Sequence, residues 1–446
     1  MASSGYSRSF TRGAFSLLNR IFVVVFGFLN IFFMVRIMPK SDIGIWILFT
    51  SVTAILEMIR NGFIRNPLVS SLVSADEADK RPLITASLAL HCILGGVISI
   101  LLLIGSVPLS NFWDAPGLEK LFLVYALNNI IFIPFLHFEY LQTTKLQFKG
   151  IFISNFCRLA ILSFYIMGHF IMNVKPTLME LALAQLVATA VGSIVGYQFV
   201  KNMLKIDRVV NKKVLSDLFH FGKFTFGTNI SSMFVKNTDS WMIGRLLSTA
   251  SVAVYNPALR ISNIVEVPTL AVASLVFPQI AQKMKDHGNE GVRDVYVKSV
   301  SLILALMLPM VLPLYIFSDF IILTIFGADY MEAAPILRVT IFYSLIIPFN
   351  RQFGTVMDAL KKPKINFYLL VMVAVLNVIF NYIFLKQFGV IGSAYGTLLS
   401  YCVVFILNQI ILHRMFDINT LKVLTNVFAW YKIGWSALRK RMVKFA

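Results

Sequence analysis

INFYLLVMVAVLNVIFNYIFL (365–385) and QFGVIGSAYGTLLSYCVVFILNQIIL (387–412) hold no Lys, Arg, Asp or Glu, and only Lys386 separates them. Each stretch is long enough to cross a bilayer as a helix, which takes about 20 apolar residues. Working outward, 83–109, 181–200 and 299–317 are equally free of charge. The whole chain is 14% charged and 58% hydrophobic, with a mean hydropathy of +0.77. A soluble chain carries roughly 25% charged residues, so most of this surface must face lipid. Read this way, the spans lie near 14–38, 43–65, 82–108, 119–142, 148–172, 177–200, 218–246, 250–277, 296–317, 335–357, 366–385 and 388–412. The expected fold is an all-α integral membrane bundle of about twelve transmembrane helices. Its expected parts are an N-terminal six-helix half (1–206), a C-terminal six-helix half (207–415) and a basic tail (416–446).

The net charge is +19. In a soluble protein this would suggest nucleic acid. Here Lys and Arg crowd into alternate connections: Arg60, Arg65, Lys80 and Arg81; Lys145 and Lys149; Lys201, Lys205 and Arg208; Lys361, Lys362 and Lys364. The connections between them are poor in cations. That alternation is a signature of membrane orientation, and it excludes nucleic acid as partner and places both termini in the cytoplasm. Cys92, Cys157 and Cys402 lie inside apolar runs without metal-ligand spacing. The sequence has no P-loop, HExxH, CxxC or nucleophile elbow, and no connection long enough for a catalytic domain. The expectation is a transporter and not an enzyme. The tail mixes Trp430, Tyr431 and Trp435 with Lys422, Lys432, Arg439, Lys440, Arg441 and Lys444. It reads either as a helix on an anionic leaflet or as a solvated extension.

RIMPKSDIGIW (36–46) aligns with RLLSTASVAVY (245–255), and at the same offset Glu57 falls on Glu266. A six-span repeat keeps its direction, so the halves should be related by an axis along the membrane normal. The embedded charges concentrate in the same helices: Arg36, Glu57 and Arg60, then Lys223, Lys236, Asp239, Arg245, Arg260 and Glu266; Arg158, Arg338 and Arg351 interrupt two further spans. A charge at bilayer depth is expensive unless it faces water or a partner. The expected solution is a hydrated, net-positive cavity shared by the halves, with an anionic ligand. Two other readings stay open. Glu57–Arg60 and Lys236–Asp239 have the spacing of self-neutralising helical pairs, and Arg36 and Arg245 lie where a side chain can snorkel to headgroups. His91, His137 and His169 are expected to be packed rather than ligating.

NTDSWMIGRLLSTASVAVYNPALRISNIVEVPTLAVASLVFPQIAQ (237–282) resembles the signature of the seventh and eighth spans in polysaccharide-export flippases, relatives of the multidrug and toxin extrusion transporters. MPKSDIGIWIL (38–48) resembles its first-half counterpart, LTIFGADYMEAAPILRV (323–339) the outer loop before span 10, and FGVIGSAYGTLLSYCV (388–403) the start of span 12. The resemblance implies a flippase of the bacterial cytoplasmic (inner) membrane. It would move an undecaprenyl-pyrophosphate-linked oligosaccharide, destined for O-antigen, capsule or exopolysaccharide, from inner to outer leaflet by alternating access. Arg158, Lys236, Arg260 and Arg351, with Arg36 and Arg245, would then hold the pyrophosphate, because Arg suits phosphate oxygens. Glu57, Asp239 or Glu266 would serve as coupling or gating carboxylates for H⁺ or Na⁺, with no other cofactor. A glycan polymerase and glycosyltransferases of the same pathway would be partners besides membrane lipids. The alternatives are an organic-cation (multidrug) exporter, which the basic bias disfavours, and a membrane-embedded glycan polymerase or ligase.

Overall fold

The computed structural model describes residues 2–445, with side chains described except at 1–12, 224–235, 274, 275, 434 and 437–446. The basic side chains of Arg8, Arg12, Arg439, Lys440, Arg441 and Lys444 therefore lie outside the described residues. No strand occurs among the described residues. The chain packs as two compact units: Met1–Met233 with Ser248–Ala250, and Phe234–Leu247 with Ser251–Ala446.

The N-terminal unit contains α1 (Ala2–Ile37), α2 (Lys40–Arg60), a π-helical turn (Asn61–Arg65), α3 (Asn66–Ser74), α4 (Glu77–Phe112), α5 (Leu118–Thr144), α6 (Phe148–Ile171), α7 (Leu178–Val200) and the start of α8 (Lys212–Leu246). The ends are written in the sequence. Pro39 cannot continue α1 and stands immediately before α2, while Thr177 and Glu180 form a reciprocal capping box at α7. The core of this unit runs from Ile64 and Leu68 through Leu90, Phe132, Phe135 and Tyr140 to Leu218. Apolar side chains such as Ile104, 70% exposed, stand outward as lipid-facing groups should.

The C-terminal unit contains the rest of α8, then α9 (Thr249–Val265), α10 (Val267–Ile316), α11 (Ser318–Phe326), a 3₁₀ turn (Ala328–Tyr330), α12 (Ala333–Ser344), α13 (Ile347–Ala359), α14 (Pro363–Phe388), α15 (Val390–Phe416) and α16 (Thr420–Phe445). Gly288, at φ 58° and ψ −140°, breaks α10 into two legs. The legs lie side by side, because the Thr269 hydroxyl on one is 3.6 Å from the Met307 sulfur on the other. Gly389, at φ 64°, ends α14 and turns the chain into α15. A methyl group at Gly392 would lie 2.0 Å from the Phe384 carbonyl oxygen, and one at Gly396 would meet the Asn381 amide nitrogen at 2.8 Å. Small residues are what let α14 and α15 approach so closely.

Ten helical runs among the described residues are long and apolar enough to cross a membrane. One of them, Thr249–Ile316, spans 68 residues and contains the 250–277 stretch and all but the last residue of 296–317, on either side of Gly288. The 218–246 stretch lies on α8. All twelve stretches expected from the sequence thus fall on helices, and the chain is a multi-pass, all-α membrane protein.

The tail forms a helix, α16, that is docked on its own unit. α16 packs along the second leg of α10, with Val423 and Val427 buried. The Trp430 indole donates to the Ser301 hydroxyl at 3.1 Å. The Tyr431 hydroxyl donates to the Ala305 carbonyl at 2.9 Å. That carbonyl needs an outside donor. Its helical partner would be the amide of residue 309, which is Pro309 and has no N–H.

Candidate functional site

In the N-terminal unit the charged side chains of α2 and α6 meet polar groups of α4 and α5. Arg60 closes α2 immediately before the π-helical turn, a local over-winding frequent at functional positions. Its side chain is only 1% exposed. One guanidinium nitrogen donates to the Asn129 backbone carbonyl at 3.2 Å and to the Asn129 side-chain oxygen. Asn129 is itself fixed, donating to the Gly95 carbonyl and the Ser99 hydroxyl, each at 2.8 Å. Arg60 Nε and Nη1 have no hydrogen-bond partner among the described residues, and neither do the ring nitrogens of the buried His91 and His137. His91 stacks on Tyr140 with centroids 5.8 Å apart and the planes 3° from parallel. Tyr140 donates to Asn61 in the π-helical turn at 3.1 Å. Buried polar groups of this kind call for solvent or ligand.

Glu57 stands one turn before Arg60 and is half-buried. It makes no ion pair shorter than 4.0 Å among the described residues, so the close Glu57–Arg60 pair allowed by the spacing does not form. The charges that act on it are Arg158, then Arg60, both attractive, and Glu139, which repels it. Arg158 reaches this neighbourhood from α6. Its guanidinium carbon lies 5.3 Å and 5.0 Å from the ring centroids of Phe132 and Phe135, and its Nε is buried without a hydrogen-bond partner among the described residues. A methyl group at Gly192 of α7 would stand 3.2 Å from Arg158 Cβ and 2.9 Å from the Phe135 ring, so Gly192 leaves the room that seats Arg158 there. Arg36 sits apart. It is exposed, bonded at 2.6 Å to the Phe32 carbonyl and held over the Phe32 ring at 3.6 Å.

The C-terminal unit buries the opposite charge. Asp239 of α8 is 5% exposed. Its Oδ2 accepts from the Tyr255 hydroxyl at 2.8 Å, and its Oδ1 from Asn381 at 2.8 Å and Asn377 at 3.4 Å. The Thr397 hydroxyl lies 2.9 Å and 3.0 Å from the two carboxylate oxygens and also receives Asn377 at 2.8 Å. Every one of these donors is neutral. Lys236 is exposed and does not pair with Asp239, which removes the i,i+3 pairing as the explanation for either residue. Lys236 and, after it, Arg351 are instead the cations that act on Glu266. Arg260, half-buried on α9, donates from Nε to the Asn256 side chain at 2.6 Å. Arg245 is exposed at the end of α8. Arg338 is bound to Ser318 and Asp319 of α11, away from these groups.

The sequence-predicted residues therefore fall into separate sets. Glu57 gathers Arg158 and Arg60, Glu266 gathers Lys236 and Arg351, and Asp239 stands in a cage of its own. The repeat-related glutamates each sit near two cations. Sequence reasoning missed Asn129, Tyr255, Asn377, Asn381 and Thr397. Asn377 and Asn381 carried a readable signal: two amides one helical turn apart inside a stretch with no charge at all.

Comparison with known proteins bears on this arrangement. Residues 33–335 match a family model described as polysaccharide biosynthesis protein. The chain is 28% identical over 218 residues to a probable low-salt glycan biosynthesis flippase, Agl15, of Haloferax volcanii; the match covers 49% of this chain and 44% of that one. The chain thus spans under half the length of that curated relative. Among solved structures it resembles the lipid II flippase MurJ in an inward closed conformation, with a TM-score of 0.75, 15% identity, and coverage of 93% of this chain and 90% of that one. It also resembles an inward-facing multidrug resistance MATE family transporter, with a TM-score of 0.74, 17% identity, and coverage of 87% and 94%. At such identities these two structures speak to the fold alone.

Proposed function

Because the chain belongs to the polysaccharide biosynthesis protein family, we propose that it is a flippase that carries a pyrophosphate-linked, polyprenyl-anchored oligosaccharide from the inner to the outer leaflet by alternating access. The observation that carries this reading is the state of the embedded arginines. Arg60 and Arg158 have no ion pair shorter than 4.0 Å among the described residues, and the nearby Glu57 leaves them the weaker partner of a group with more negative charge. A pyrophosphate supplies that charge together with oxygens placed for guanidinium forks. Lys236 and Arg351 around Glu266 are the corresponding set in the C-terminal unit, and Arg260 is a further contact. The polyprenyl chain stays in lipid throughout, so only the headgroup needs a polar route. The Lys- and Arg-rich connections support cytoplasmic termini.

Asp239 is the seat we assign to a coupling cation, H⁺ or Na⁺. The donor set fits. Besides the carboxylate, the side-chain oxygens of Asn377 and Asn381 are buried and lack hydrogen-bond partners among the described residues. Turning either amide over presents an oxygen to the site, and a hard monovalent cation takes oxygen ligands. Such a cation would supply charge compensation that the four neutral donors cannot.

The test is complementation of cells lacking the gene. The deletion should accumulate the lipid-linked intermediate on the inner leaflet and lose surface glycan. Wild-type protein should restore the glycan. Arg158→Ala and Arg260→Ala, at normal protein level, should not. Full surface glycan in both variants would remove the arginines from the substrate route.

A further inference from the structure

A second basic site lies at one end of the N-terminal unit, away from the embedded arginines. The end of α3, the start of α4, the end of α5 and the segment after α7 enclose a cavity of about 810 Å³. Four cations line it: Lys80, Arg81, Lys145 and Lys205. Its one lining carboxylate, Glu77, is bound to Lys80. Arg81, Lys145 and Lys205 have no carboxylate within 4.0 Å among the described residues, and with four cations against Glu77 the lining carries a net charge of about three positive. The floor is apolar and belongs to the core of the unit: Leu72, Ile84 and Leu141 are 7%, 6% and 1% exposed.

The walls are tied together across the fold. The Asp207 amide donates to the Thr85 hydroxyl at 2.8 Å and staples the segment after α7 to α4. Leu146, with φ 54°, tightens the α5–α6 turn that presents Lys145. A cavity with an apolar floor and a cationic rim, at the ends of membrane-spanning helices, suits an amphiphile whose headgroup is anionic. Charge decides which one. A phospholipid phosphodiester brings a single negative charge, whereas a pyrophosphate diester brings two, closer to the net charge of the lining.

We propose that this cavity is a reception site for the pyrophosphate of the polyprenyl-linked substrate, separate from the embedded arginines. The inference rests on the flippase reading and adds a first binding step to it. At this end the α3–α4, α5–α6 and α7–α8 connections come together, the same connections in which the positive charge concentrates, so the site opens toward the leaflet where the substrate is made. Lys145 and Lys205 engage the two phosphates, Arg81 adds a forked donor, and the first part of the polyprenyl chain lies on Leu72 and Ile84.

The full-length protein, in nanodiscs of phosphatidylcholine, tests this with three probes: undecaprenyl pyrophosphate, undecaprenyl monophosphate and phosphatidylglycerol. The triple variant Arg81→Gln, Lys145→Gln, Lys205→Gln should bind undecaprenyl pyrophosphate about tenfold more weakly than wild type, at unchanged melting temperature. Lys361→Gln, Lys362→Gln, Lys364→Gln removes as many cations from a connection of the other unit and should leave binding unchanged, and Lys145→Arg, Lys205→Arg should retain it. Wild-type affinity in the triple variant would overturn the site. So would an equal loss for phosphatidylglycerol, which would make it a general anionic-lipid site. The two readings fail separately: restored surface glycan with Arg158→Ala would count against the transport route, whereas pyrophosphate affinity in the triple variant addresses only this cavity.

Discussion

Arg60 in the N-terminal unit and Asp239 in the C-terminal unit are both buried charges on membrane-spanning helices, and they are treated in opposite ways. Asp239 accepts from Tyr255, Asn377, Asn381 and Thr397, so its oxygens are saturated by neutral donors. Arg60 gives one nitrogen to Asn129 and leaves Nε and Nη1 without a partner among the described residues. A saturated carboxylate is held in one geometry and lacks only a positive charge. An incompletely bonded guanidinium keeps its capacity to bind an anion. Two units with in-register glutamates, Glu57 and Glu266, have thus diverged in what they bury: an incompletely bonded guanidinium in one and a saturated carboxylate in the other.

The sharpest way to break this comparison is Asp239→Leu. Four buried neutral donors lose their acceptor together, each stranded donor costing about 1–3 kcal/mol, and even with the carboxylate's own desolvation relieved the expected loss is about 3–5 kcal/mol of stability, read as a large drop in thermal midpoint. Little change would mean that the cage is not built around the carboxylate. Asn381→Ala removes one donor to a charged acceptor and should cost about 1.5–3 kcal/mol, with transport losing part of its cation dependence. Tyr431→Phe leaves the Ala305 carbonyl, freed by Pro309, without a donor, for an expected loss of about 1 kcal/mol in the same assay. Arg60→Met should have the smallest effect on folding, within about 1 kcal/mol of wild type, because losing the Asn129 bonds is offset by no longer desolvating a charge. Its surface glycan should nonetheless fall. A collapse in stability as large as that of Asp239→Leu would show that the two sites are built alike.

How much of this could be read from the sequence varies with the kind of interaction. The spans were legible because charge is excluded from 365–385 and 387–412, and hydrocarbon tolerates nothing else at that length. Glu57 and Glu266 were legible because a carboxylate is conspicuous in apolar sequence. The partners were not. Nothing in the spacing of Lys236 and Asp239 shows that Lys236 stays exposed and leaves Asp239 to neutral donors, since both arrangements fit the same helix. Asn129 and Thr397 are uncharged and blend into their helices, although each holds a buried ion. The docking of α16 was hidden for a different reason. Trp430 and Tyr431 among lysines read as an interfacial helix, and only the fold shows that Tyr431 reaches the carbonyl that Pro309 leaves without its amide.

The central claim, that the chain moves a pyrophosphate-linked glycan lipid across the bilayer, is tested most directly in sealed vesicles containing the purified protein and a lipid-linked oligosaccharide confined to one leaflet. Lectin accessibility on the opposite side should rise with time, fall in Arg158→Ala, and respond to the cation gradient through Asp239. Vesicles that move a cationic dye while the oligosaccharide stays on its original side would contradict the account.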